Sequence, residues 1–92
     1  MHVYLACFDI SSNRIRYRVV KKLGHYGNRV QKSVFEITLK NKQELAVIQR
    51  EMAELLDVGD RLYFYHLCQN CREKSVDVDN NPVAQYPAVL II

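Results

Sequence analysis

Apolar residues run along this chain in two alternating periods. From Val3 to Phe8, VYLACF, nearly every position is apolar, which predicts a central strand covered on both faces. Asp9 ends the run. Ser11 or Ser12 can then cap a helix with its hydroxyl. Ile15, Val19, Leu23 and Tyr26 follow at helical spacing and form one stripe, predicting a helix near 12–26. Of the two glycines at its end, Gly27 is the better candidate for the residue just past the helix. Arg14, Arg18, Lys21 and His25 lie opposite the stripe. Arg16 does not join them. At about 100° per residue it falls between Leu23 and Val20, inside the apolar arc, so it either snorkels or is aimed at a partner near the strand end.

Residues 29–39, RVQKSVFEITL, are rich in strand formers, but their inward pattern changes parity. Val30 and Val34 are even, whereas Phe35, Ile37 and Leu39 are odd. One straight strand cannot bury both sets on one face. A bulge or tight hairpin near Ser33–Val34 removes the conflict.

Asn41 followed by Glu44 reads as a capping box. Leu45, Ile48, Met52 and Leu55 then give a second helix near 42–56. Residues 60–67, within DRLYFYHLC, form another strand. Residues 69–86 are polar and read as a loop turning at Asn80-Asn81-Pro82, with a short strand at Ser75–Val78. Residues 87–92 close on Val89-Leu90-Ile91-Ile92, which predicts a tail strand added to a sheet edge, here or in a partner.

The order is βα, then ββ, then αβ, then the tail. It predicts a single α+β domain over 1–92, a ferredoxin-like sandwich of βαββαβ form with a C-terminal strand. With 92 residues such a domain buries only about two-thirds of its chain surface, so an oligomer contact would add stability. No apolar run approaches a membrane span. No basic region precedes the first apolar run, so a cytoplasmic location with reduced cysteines is expected.

Charge is unevenly spread. Residues 1–40 carry eight Lys/Arg and two Asp/Glu, and residues 41–92 carry five and eight. A basic front half suits a polyanion such as nucleic acid, and it also suits a solvated basic helix face.

Asp9 is the sharpest chemical feature. A carboxylate directly after a buried strand can cap the next loop. It can also hold magnesium, which takes one or two protein carboxylates and fills its octahedron with water and phosphate oxygens. Two copies of Asp9 meeting across a two-fold axis would suit the ion better than one. Arg16, Arg18 and Arg29 could clamp phosphates. Tyr63 and Tyr65 could stack on bases or pack in a core or interface.

Cys68 and Cys71 form a CxxC. Zinc needs two more ligands, and His66 and Cys7 are poorly spaced. A redox pair would stand before a helix, which this polar stretch does not suggest, so plain thiols are expected. No histidine pairs with an acid, and no G-x-S-x-G, P-loop or HExxH occurs.

Three segments, LACFDISSNRIRYRVVKKL, YGNRVQKSVFEITL and DRLYFYHLC, together resemble the CRISPR-associated protein two family, the small subunit of the spacer-acquisition machinery. The resemblance covers roughly the whole chain. It implies a ferredoxin-like homodimer that works with a CRISPR integrase subunit. It also implies a magnesium-dependent endonuclease acting on single-stranded RNA, in some members on double-stranded DNA, or else a non-catalytic DNA-binding scaffold. On this resemblance the catalytic and metal-linked acid is Asp9. The nucleic-acid-binding residues are Arg16, Arg18, Arg29 and Phe35. Members commonly have Tyr before the acid, where this chain has Phe8, which puts the catalytic role in question but not the scaffold role. A small-molecule regulatory domain of the ACT type shares the fold but has no need of the arginines.

Overall fold

In the computed structural model, which describes residues 1–83, the first apolar run becomes β1 (His2–Asp9) at the centre of a four-stranded sheet. The other strands are β2 (Gly27–Gln31), β3 (Val34–Leu39) and β4 (Arg61–Leu67), in the order β2-β3-β1-β4 with every neighbouring pair antiparallel. Helices α1 (Asn13–Leu23) and α2 (Lys42–Leu55) connect them as two split βαβ crossovers. This is the ferredoxin-like arrangement predicted from the pattern.

The core lies between the sheet and the two long helices. Tyr4, Ala6 and Phe8 enter it from β1, and Phe35, Ile37 and Leu39 from β3. Ile15, Val19 and Leu23 of α1 and Ile48 and Met52 of α2 cover them. Among these, α2 contributes the period-four pair Ile48 and Met52, while Leu45 and Leu55 pack at its margin. Val3, Leu5 and Cys7 alternate to the opposite, open face, so β1 is apolar on both sides for two different reasons.

Local chemistry accounts for the helix starts. Ser12 Oγ accepts from Ile15 N at 3.3 Å, and Asn41 Oδ1 accepts from Glu44 N at 2.9 Å. Glu44 Oε1 in turn accepts from Lys40 N at 2.7 Å, one residue before the usual capping-box partner.

The helix end differs from expectation. α1 stops at Leu23 with Gly24 as its cap, whereas Gly27 opens β2. A Cβ on Gly27 would stand 1.9 Å from the Glu36 carbonyl oxygen, so this position needs glycine for the close approach of β3 and not for a helix cap.

The parity change in residues 29–39 is resolved twice over. Lys32 and Ser33 make the hairpin turn, and the β2–β3 register shifts between Arg29 and Gln31. Val30 is left exposed and Val34 faces the open side, while Phe35, Ile37 and Leu39 stay in the core.

Residues 69–74, expected as loop, form a short helix, α3 (Gln69–Lys74). In place of a strand at 75–78 there is one isolated bridge, Val76 to Pro82, closed over a turn at 77–80. Six residues give a helical period less than two turns to show itself, and the local caps decide instead. No helix among the described residues is long and apolar enough to cross a membrane. The tail strand expected at 87–92 lies outside the described residues.

Candidate nucleic-acid interface

β1 delivers Asp9 to the end of the sheet where β4 begins and where the β2–β3 hairpin turns. Its register partner is Arg61 on β4, and Cys7, two residues earlier, stands opposite Val34 at the start of β3. The Phe8 amide donates to the Ser33 carbonyl at 3.0 Å, which ties the hairpin to the strand beside Asp9. Both neighbours of β1 therefore fix the backbone that carries the acid. The Asp9 side chain is exposed, and among the described residues it makes no ion pair or hydrogen bond.

The arginines divide sharply. Arg16 is half-buried, as its place in the apolar arc suggested. Its Nη1 donates to the Ile10 carbonyl at 2.6 Å, and Nη2 contacts Asn13 Oδ1. It thus clamps the first residue after Asp9 and holds the loop between β1 and α1. Arg18 is exposed, two positions further on and so on the other side of α1. Arg29 spends Nε and Nη2 on the Lys32 carbonyl, at 3.1 and 2.5 Å, inside its own hairpin. Its Cζ lies 5.8 Å from the centre of the Phe35 ring.

Phe35 is a core residue, 3% exposed, packed against Phe8 at a centroid separation of 6.4 Å. It cannot present a face to a nucleic-acid base in this conformation; its accessible partner is the Arg29 guanidinium. The strand alternation that puts Asp9 on the open face puts Phe8 in the core. Of the predicted site residues, then, Asp9 and Arg16 meet at one loop, Arg29 and Phe35 meet across the hairpin, and Arg18 stands apart.

Three further residues belong to this end. Arg61 was hidden because strand register is not written in local sequence. Asp60 Oδ2 accepts from Asp57 N at 3.0 Å, and Oδ1 accepts from Ser11 N at 3.4 Å, linking the approach to β4 with the exit from β1. Arg14 projects from a helix that contains no acidic residue, so α1, which also carries Arg18, offers a cationic face.

Magnesium would find one free carboxylate here. Among the described residues no group of three or more His, Cys, Asp and Glu side chains could hold a metal ion. Asp9 fits as a single ligand whose remaining partners would be water, phosphate or another chain.

Away from this end, α3 lies over the open face. Arg72, 5% exposed, donates from Nε to Glu36 Oε1 at 2.8 Å. Its Nη2 stands 2.7 Å from the same oxygen but at an angle too poor to satisfy it. With Leu5, Cys7 and Val83 this pair lines an open cleft of about 700 Å³. Tyr63 and Tyr65 of β4, register partners of Cys7 and Leu5, are about half exposed, with centroids 6.3 Å apart.

The family model for CRISPR associated protein Cas2 matches residues 1–75. A protein of Chloroflexus aurantiacus called CRISPR-associated endoribonuclease Cas2 1 is 38% identical over 86% of this chain and 86% of its own length. CRISPR-associated endoribonuclease Cas2 4 of Rhodospirillum rubrum is 37% identical over 85% of this chain, which spans 63% of that relative's length. Among solved structures, a chain of a partial Cas6-RT-Cas1–Cas2 complex superposes with a TM-score of 0.85 at 30% identity, over the full length of both chains.

Proposed function

The chain belongs to the CRISPR-associated Cas2 family, and from that footing we propose that it serves spacer acquisition as a nucleic-acid-binding homodimer docked to a Cas1-type integrase subunit, with a metal-dependent endoribonuclease activity on single-stranded RNA centred on Asp9. The observation that carries the nuclease reading is the Asp9 carboxylate itself. It is exposed, unengaged by the described residues, and mounted on the central strand of the sheet. A carboxylate that served only to cap the next loop would be hydrogen-bonded to that loop, and here Ser12 and Arg16 do that work.

In this mechanism the strand fixes where the carboxylate oxygens stand, and Arg16 holds the chain that leaves them. The exposed cations Arg14, Arg18 and Arg61 draw in the phosphate backbone without reading bases. A magnesium ion, when bound, would neutralise the scissile phosphate and make its bound water more acidic. Two copies of the chain would supply two Asp9 carboxylates. The half-exposed Tyr63 and Tyr65 and the apolar positions beside them on the open face favour such pairing.

A second reading has an observation of its own. Arg16 and Arg29 are occupied within the fold and Phe35 is buried, which leaves a cationic surface with one lone acid. A DNA-binding scaffold that never cleaves needs no more than that.

One assay separates them. Wild type and Asp9→Ala are incubated with single-stranded RNA and with duplex DNA, in magnesium and in chelator. The nuclease reading expects RNA cleavage only by wild type in magnesium, with binding retained by the variant. Equal cleavage by both proteins, or none by either, leaves the scaffold.

A further inference from the structure

Cys68 and Cys71 do stand at the start of a helix. Cys68 is the N-cap of α3, and its sulfur accepts from the Cys71 amide at 3.2 Å. Both thiols are exposed. In a first helical turn, residues three apart have Cα atoms roughly 5 Å apart, inside the window of about 4.4–6.8 Å that a disulfide requires. Ser75 Oγ donates to the Cys71 carbonyl at 2.8 Å, and Arg72 anchors the next position on Glu36, so the turn holding the pair is fixed at both ends.

We propose that Cys68 and Cys71 form a reversible intrachain disulfide, a modification site for low-molecular-weight disulfides of the glutathione type. The two sulfurs are inequivalent. A hydrogen bond from the Cys71 thiol, then one from the Cys71 amide, holds the Cys68 thiol below its ordinary value. Donation to Cys68, then the charge that Cys68 acquires, pushes Cys71 up. Cys68 is therefore the attacking sulfur and Cys71 the resolving one.

In the first step the Cys68 thiolate attacks one sulfur of the small disulfide. A Cys68–S bond forms, the small disulfide's S–S bond breaks, and one thiolate leaves. Cys71 then gives its proton to solvent and attacks Cys68 Sγ, expelling the second small thiolate. The protein loses two electrons and two protons, and the small disulfide is reduced to two thiols. Cys7 takes no part. It is half-buried on the sheet, and burial raises its pKa. The link closes the first turn of the helix that carries Arg72, so the redox state is written where the C-terminal part of the described chain is fastened to the open face.

The test is to hold the chain in glutathione buffers of rising oxidised fraction, quench with an alkylating agent, and map the products by intact and peptide mass. Wild type should lose two hydrogens and yield a Cys68–Cys71 linked peptide, reversed by excess reduced glutathione. Cys71→Ser should trap one glutathione on Cys68. Cys68→Ser, which keeps a good N-cap, should react at Cys71 at least about ten-fold more slowly at neutral pH, in line with the dependence of attack on thiolate fraction. Separate adducts on wild type without an internal link, a disulfide between two chains, or equal rates in the two variants would each overturn the proposal.

Discussion

Arg72 and Glu36, thirty-six positions apart in sequence, form an ion pair in which both side chains are largely withdrawn from water. It is the contact that brings α3 onto the face of the sheet left bare by the two long helices. Removing one partner of a buried pair strands the other charge and costs about 3–5 kcal/mol. Arg72→Ala should therefore lower the urea midpoint strongly, with a loss near the lower figure because Glu36 keeps some access to water. Glu36→Leu combined with Arg72→Met should recover much of that loss. A double variant no better than the single one would show that the pair adds stability beyond avoiding a stranded charge.

Arg16 and Arg18 should separate by kind of damage. Arg16→Ala removes the bond to the Ile10 carbonyl and should cost about 1–2 kcal/mol of stability, along with a loss of any cleavage that depends on the placement of Asp9. Arg18→Ala touches nothing in the fold and should leave thermal stability unchanged. If Arg18 meets a phosphate, its loss should lower the salt slope of nucleic-acid binding by about one. Thermal melts beside binding titrations across a salt series measure both.

Gly27→Ala should be among the most damaging small substitutions. The added methyl would meet the Glu36 carbonyl and the Ile37 backbone, neither of which can rotate away. Overpacking of this kind costs about 1–3 kcal/mol, read from chemical denaturation. Gly24→Ala, whose nearest neighbour would stand at 3.3 Å on the helix backbone, should be far milder.

Asp77 should make the turn at 77–81 sensitive to acid. Its carboxylate accepts from the Asn81 and Asp79 amides, at 2.9 and 2.8 Å, and these bonds hold its pKa below the ordinary carboxylate value. A depressed folded pKa stabilises the turn above the unfolded value, and the benefit fades as pH falls through the folded one. Amide resonances of Asp79 and Asn81 followed from neutral to acidic pH should move together below the normal carboxylate range. Asp77→Asn should remove that transition.

Much of the architecture follows from local rules that a sequence displays openly. A nearly continuous apolar run places β1, an aromatic-rich run places β4 and period 3.6 places α1 and α2, while Ser11 or Ser12 and Asn41 mark the two helix starts because capping acts over three residues. The parity clash between Val34 and Phe35 announces a bulge or a hairpin for the same reason, and the fold contains both. What tertiary structure decides is which polar residues meet. Register across the sheet sets Asp9 opposite Arg61 and makes Gly27 a contact point with Glu36, whereas the parity that Phe35 shares with Ile37 and Leu39 already turns it to the core. Arg16 shows the boundary between the two: its helical position says that it is aimed at something, but only the folded loop reveals that the target is the Ile10 carbonyl. α3 and its Arg72 were illegible because six residues carry too little periodicity, and the reason for their helix, a sheet face needing cover and a Glu36 needing a cation, lies far away in the chain.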